Sequence, residues 1–174
     1  KEISEHGGSS YLEELYHADF WRRPPTIQEF LEDDYFMGTV CRSIPEDNQL
    51  GILDVWREEL YALFNPNRSS PANQVILTGG IGLGKSYNGA LIMAFRVAKA
   101  LCMRNPLLYY GLGKVSTLNF MFLSVTRDQV QEGAFKDFSN MIAASPFFME
   151  QTADTSENKK SNSKIRMRGN ILVE

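Results

Sequence analysis

The chain has 174 residues, of which 43% are hydrophobic and 22% charged, and a formal net charge of −3. This is ordinary globular composition for one core, and it excludes low-complexity and disulfide-scaffold chains. Its two cysteines, Cys41 and Cys102, make no metal spacing, no apolar run is long enough to span a bilayer, and the polar start lacks a signal-peptide core, so the expectation is a soluble, intracellular protein without a membrane partner.

Charge divides unevenly along the chain. Residues 1–60 carry 14 acids against 5 bases, and residues 61–174 carry 7 against 13. A basic half suits a polyanion or a nucleotide phosphate, and equally a mildly basic domain beside a solvated acidic extension. We therefore divide the chain into an acidic extension over residues 1–50 and a domain over residues 51–174.

In chain order, Pro24 and Pro25 break the backbone and Thr26 can cap a short helix whose apolar face is Ile27, Phe30 and Leu31. Phe30, Tyr35 and Phe36 read as packing residues. The stretch ILDVWREELYALF, residues 52–64, predicts an amphipathic helix with Leu53, Trp56, Leu60 and Phe64 on one stripe. Gln74 to Thr78 predicts a buried strand, and Leu91, Phe95, Ala98 and Cys102 mark a helix behind the glycines that follow. Gly111 and Lys114 lack full motif spacing and fall in a connection. LNFMFLSV, residues 118–125, predicts a parallel strand covered on both faces. Thr126 or Asp128 can cap the next helix, with Val130, Ala134, Phe138 and Met141 at helical spacing. The end, SKIRMRGNILVE, predicts two short strands around a tight turn at Gly169 and Asn170.

The densest signal lies at residues 79–86. Gly79, Gly84, Lys85 and Ser86 satisfy G-x-x-x-x-G-K-[ST], the phosphate-binding loop, here between a predicted strand and a predicted helix. Successive N–H groups of Gly79, Gly80, Ile81, Gly82, Leu83 and Gly84 can converge on an anion, and the helix beginning near Lys85 aims its positive end at the same place. Lys85 would reach the β- and γ-phosphates of ATP as the catalytic cation, and the Ser86 hydroxyl would complete a Mg2+ shell. These residues predict an α/β P-loop NTPase of the helicase-like ASCE kind, with a mainly parallel sheet flanked by helices. The acid expected at the end of a later strand has two weak candidates, Asp54 and Glu174. The favoured expectation places that Walker B strand beyond residue 174, the chain being a fragment.

The succession PPTIQEFLEDDYFMG, a Trp-bearing helix, VILTGGIGLGKS, NFMFLSVTRDQVQEGAFKDF and SPFFME resembles the N-terminal ATPase domain of the large terminase subunit, the DNA-packaging motor of tailed bacteriophages and related viruses. The resemblance covers most of residues 24–173. It implies ATP hydrolysis coupled to translocation of double-stranded DNA by a homo-oligomeric ring. The implied partners are a portal protein and a small terminase subunit, and the implied place is the host cytoplasm at the procapsid portal. A nuclease domain would normally follow. Many members carry arginine where this chain has Ile81; Arg127, Arg166 or Arg168 could neutralise transition-state charge instead, one of them across a subunit boundary, the alternative being exposed arginines with no catalytic part. The family's upstream adenine-recognition glutamine has no clear counterpart, with Trp56, Arg57 and Gln49 as candidates. Lys159, Lys160, Lys164, Arg166 and Arg168, in a stretch without acids, suit phosphate contacts on a duplex or simply a solvated loop. Two other readings stay open. One is a different P-loop enzyme, a helicase-like translocase or a kinase; the other is a nucleotide-binding module without hydrolysis of its own.

Overall fold

The computed structural model describes residues 19–42, 51–65, 67, 74–124, 126, 132–152 and 163–174. Helix α1 (Ile27–Glu32) begins as the sequence asks: Thr26 Oγ1 accepts from the Glu29 N–H at 3.2 Å, and the Glu29 carboxylate accepts from the Thr26 N–H at 2.7 Å. This reciprocal pair satisfies two donors that a helix start leaves open. Ile27, Phe30 and Leu31 are buried on the opposite side. Helices α2 (Gly38–Cys41) and α3 (Asp54–Leu63) follow, and then the long α4 (Lys85–Leu101) and a single turn, α5 (Pro106–Tyr109). Strand β1 (Leu118–Phe120) precedes helices α6 (Ala134–Ala144) and α7 (Pro146–Gln151), and strands β2 (Ile165–Met167) and β3 (Ile171–Val173) close the described chain.

The three strands form one sheet in the order β1-β3-β2. Parallel pairing sets Leu118 beside Ile171 and Phe120 beside Val173; antiparallel pairing sets Ile165 beside Val173 and Met167 beside Ile171. The parallel ladder runs one residue further, because Glu174 donates its N–H to Phe120 O at 3.0 Å and accepts from Phe122 N–H at 2.7 Å. Residues 168–170 turn the hairpin, with Gly169 at φ 72° and Asn170 at φ 57°, the two residue types that tolerate the left-handed region best. The expected turn is there.

A single hydrophobic cluster runs from Ile27 to Val173, and α4 packed on α6 is its centre. Leu91, Phe95, Ala98 and Cys102 are all buried, as their spacing predicts. Phe30 meets Phe95 at 5.2 Å between ring centres, Phe64 meets Phe95 at 4.8 Å, and Phe36 meets Phe147 at 5.0 Å. Residues 27–41 of the acidic stretch thus share the core of the residues behind them. Phe30, Phe138, Phe147 and Phe148 are fully buried, and truncating any one of them to Ala would cost about 3–5 kcal/mol.

Several expectations are corrected. Residues 74–78 are in no strand among the described residues: Val75 and Leu77 are half-buried while Ile76 is 75% exposed. A strand needs a hydrogen-bonded neighbour, and none of the three described strands pairs with this segment. The sheet is correspondingly mixed, with one parallel and one antiparallel pairing rather than a mainly parallel order. The run 118–123, which contains β1, is covered on one face only. Phe122 packs on Phe135 and Phe138 of α6, whereas Asn119, Met121 and Leu123 are exposed. Leu53 is the N-cap of α3 and exposed, while Ile52 is buried in its place. The buried stripe of α6 uses Phe135 together with Phe138, Met141 and Ile142, with Ala134 half-buried; Val130, Asp128 and Arg127 lie outside the described residues.

Candidate nucleotide site

The glycine loop delivers the chain from residues 74–78 onto the N-terminus of α4. Gly84 is the N-cap, at φ 72° and ψ 23°, and Gly79 and Gly82 also have positive φ, at 138° and 85°. No acid lies in the first turn of α4, so nothing in that turn offsets the positive end of the helix dipole or its first N–H groups. Lys85 folds back over the loop: its ammonium donates to Gly79 O at 2.9 Å and to Gly80 O. Ser86 is exposed on the same first turn. A Cβ built at Gly80 or Gly82 would meet nothing within 4 Å. The loop is open outward, with Ile81 fully exposed and Leu83 45% exposed. Room, N–H donors and a cation are in one place, and this set fits a phosphate chain accompanied by Mg2+.

Two residues hold the loop from behind. The Trp56 indole N–H, on α3, donates to Leu83 O at 2.8 Å. Asn88, one turn into α4 and 2% exposed, donates from Nδ2 to Gly84 O at 2.9 Å, and its Oδ1 has no partner. Trp56 was a candidate for adenine recognition; its N–H is committed to the loop backbone instead. Its pairing spans 27 residues and leaves no trace in local spacing. The Asn88 contact, four residues from Gly84, follows the helical repeat and was legible in principle. Arg57, the second adenine candidate, reaches Cys41 O at 3.4 Å, and Gln49 lies outside the described residues.

The remaining candidates are spread out. Glu174 follows β3 and its carboxylate is 2.7 Å from the Lys164 ammonium. Asp54 sits in the first turn of α3, where it favours the helix dipole. Arg166 and Arg168 are exposed on the hairpin, and Lys159 and Lys160 lie outside the described residues. Burial pushes the Cys41 thiol up to about 12 and that of Cys102 up to about 11, and both are free cysteines.

A family model described as "Uncharacterized protein MJ0330, N-terminal P-loop domain" matches residues 5–174. The chain belongs to this family. Membership makes residues 5–174 a P-loop domain, which supports nucleotide binding and does not single out a terminase. No curated protein and no solved structure matches the chain. Among the described residues no helix is long and apolar enough to cross a membrane.

Proposed function

We propose that this P-loop domain binds ATP with Mg2+ through Gly79–Ser86 and hydrolyses it as the ATPase of a DNA-translocating motor of the terminase type. The observation that carries the nucleotide reading is the Lys85 ammonium folded over Gly79 and Gly80, at the N-terminus of α4, whose first turn holds no acid. The motor reading rests on the sequence resemblance and on the basic, exposed hairpin at Arg166 and Arg168.

When bound, Mg2+ would be held in part by the Ser86 hydroxyl and would neutralise phosphate charge, without a dedicated protein cage. The chain's own groups do the rest. Backbone N–H groups of the loop hold the phosphates, Lys85 moves its ammonium from carbonyl oxygens onto phosphate oxygens, and the Ser86 hydroxyl supplies an oxygen ligand. Glu174, which follows an apolar strand, is the acid in the described residues best suited to order an attacking water, once it leaves Lys164.

The test is ATP turnover and Mg-ATP binding by wild type, Lys85→Ala and Glu174→Gln. Lys85→Ala should abolish both without altering thermal unfolding; retained binding and turnover would remove the site. Turnover lost in Glu174→Gln with binding intact assigns the acid. The Lys164–Glu174 ion pair favours a second reading, a nucleotide-binding module whose acid is engaged elsewhere. That reading expects Mg-ATP binding with no turnover by wild type. Duplex DNA stimulation of turnover tests the motor.

A further inference from the structure

Asn88 shares the buried face of α4 with Leu91 and Phe95. A hydrocarbon would suit that face, and asparagine is a poorer helix former than leucine. Half of its carboxamide is a burden: Oδ1 is buried without a hydrogen-bond partner among the described residues. A buried acceptor left unmet costs more than a typical hydrogen bond returns. Turning the amide over brings no relief, because Oδ1 would then face Gly84 O, acceptor against acceptor. The reason for an asparagine lies at its other end.

Gly84 O receives two donors from this one residue, the Asn88 N–H at 2.9 Å and Asn88 Nδ2 also at 2.9 Å. The first bond comes with any helix; the second belongs to the side chain. Gly84 is the N-cap, at φ 72° and ψ 23°, and no Cβ restricts rotation about its Cα–C bond. That rotation swings the Gly84–Lys85 peptide plane. The plane is rigid and trans, so its C=O and its N–H point in opposite directions. Holding Gly84 O toward Asn88 therefore holds the Lys85 N–H outward from the start of the helix. This N–H is the first of α4 and has no acceptor within the helix. A carbonyl that accepts two bonds also polarises its peptide, which strengthens the N–H as a donor.

We propose that Asn88 is a positioning residue, whose side-chain bond to Gly84 O aims the Lys85 N–H at the phosphate. The proposal rests on the nucleotide reading of Gly79–Ser86 and adds a residue outside the G-x-x-x-x-G-K-[ST] spacing. Asn88 acts through the peptide and not by contact with the nucleotide.

The experiment compares Asn88→Thr with Asn88→Val in the whole chain. The two side chains have nearly the same shape. A helical threonine can donate its hydroxyl to the carbonyl four residues back, here Gly84 O, and valine cannot. In calorimetric titration, Mg-ATP affinity should stay within about threefold of wild type for Asn88→Thr and fall about tenfold or more for Asn88→Val, the scale of one hydrogen bond to a charged group. The valine variant should melt no lower than the threonine variant, so its loss of affinity is not a loss of fold. If it does unfold, Asn88→Ser against Asn88→Ala makes the same comparison. The second readout is the order parameter of the Lys85 N–H, measured by NMR relaxation without nucleotide. It should stay near the rigid value of about 0.85 in wild type and Asn88→Thr, and fall toward the flexible value of about 0.6 in Asn88→Val. Equal affinities in the two variants, or a Lys85 N–H equally rigid in both, overturns the proposal. If wild type itself binds no Mg-ATP, the nucleotide reading fails, and the order parameter alone then decides whether Asn88 sets the Lys85 N–H.

Discussion

Alanine at Gly84 and alanine at Gly80 should fail in different ways. At Gly84 the backbone is left-handed, φ 72° and ψ 23°, while a Cβ built there would meet only Asn88 Nδ2, at an ordinary 3.5 Å. Space is available; the conformation is the obstacle. Forcing an L-residue into that region costs about 1–2 kcal/mol. At about 2–4 °C per kcal/mol for a domain of this size, Gly84→Ala should lower the melting temperature by about 2–8 °C. Gly80 is not among the positive-φ glycines, and a Cβ there meets nothing within 4 Å. Gly80→Ala should therefore leave stability unchanged or raise it by up to about 1 kcal/mol, because alanine restricts the unfolded chain. Both changes should weaken Mg-ATP binding, Gly84→Ala by distorting the cradle and Gly80→Ala by standing where phosphate oxygens approach. Thermal unfolding and calorimetric titration with Mg-ATP, run side by side on the two variants, separate the effects. Wild-type affinity in Gly80→Ala would refute the close-approach argument, and equal destabilisation by both would refute the loop geometry.

Trp56→Phe keeps a ring on α3 but removes the donor to Leu83 O, so it should cost about 0.5–1.5 kcal/mol in denaturant unfolding. It should also reduce Mg-ATP affinity several-fold, and unchanged affinity would show that the loop holds its shape without the indole. Gly89→Ala, inside α4 with open space around the new Cβ, should stabilise by about 0.5–1 kcal/mol and leave nucleotide titrations as they are. The Glu29 carboxyl is held below its ordinary value of 4.5, chiefly by the Thr26 N–H, against a smaller opposing effect of burial. Its contribution is complete above the unfolded pKa and is lost as pH falls through the lowered one, so Glu29→Gln should flatten the acid side of a melting-temperature profile below pH 4.5. With their thiols pushed up to about 12 and about 11 by burial, Cys41 and Cys102 should resist iodoacetamide at neutral pH until the chain unfolds.

What could be read in advance was whatever a local rule encodes. Thr26 and Glu29 sit three apart, the spacing that closes a cap, and α1 starts there. The apolar residues of α4 repeat at the helical period, and Gly169 with Asn170 spells a tight turn. The loop's glycine spacing likewise marked Gly79–Ser86 without any knowledge of the fold. Pairing partners are another matter. Val75 and Leu77 look like a buried strand because they are apolar and β-branched or bulky, but burial depends on a neighbour that a short window cannot name. The same holds for Leu123, an apolar residue three positions beyond β1 that is left exposed. Trp56 reaches Leu83 through the folding of α3 against the loop, and Phe64, at the end of α3, meets Phe95 of α4 across 31 residues of chain. Chemistry built from long-range neighbours was invisible until the helices were in place.

The position of the Lys85 ammonium bears on which anions the loop can tell apart. Two of its three protons already rest on Gly79 O and Gly80 O, so an arriving phosphate that takes more than one bond competes for donors in use. Association is an exchange of acceptors, and the gain at that contact is a difference between two hydrogen bonds rather than the whole of one. A small, single anion offers little beyond this exchange. A polyphosphate also reaches the open N–H groups at the start of α4, and those bonds have no competitor within the helix. If the loop binds nucleotide as proposed, a lysine at rest on its own backbone would act as a filter, discouraging chloride and sulfate while leaving the longer anion its advantage.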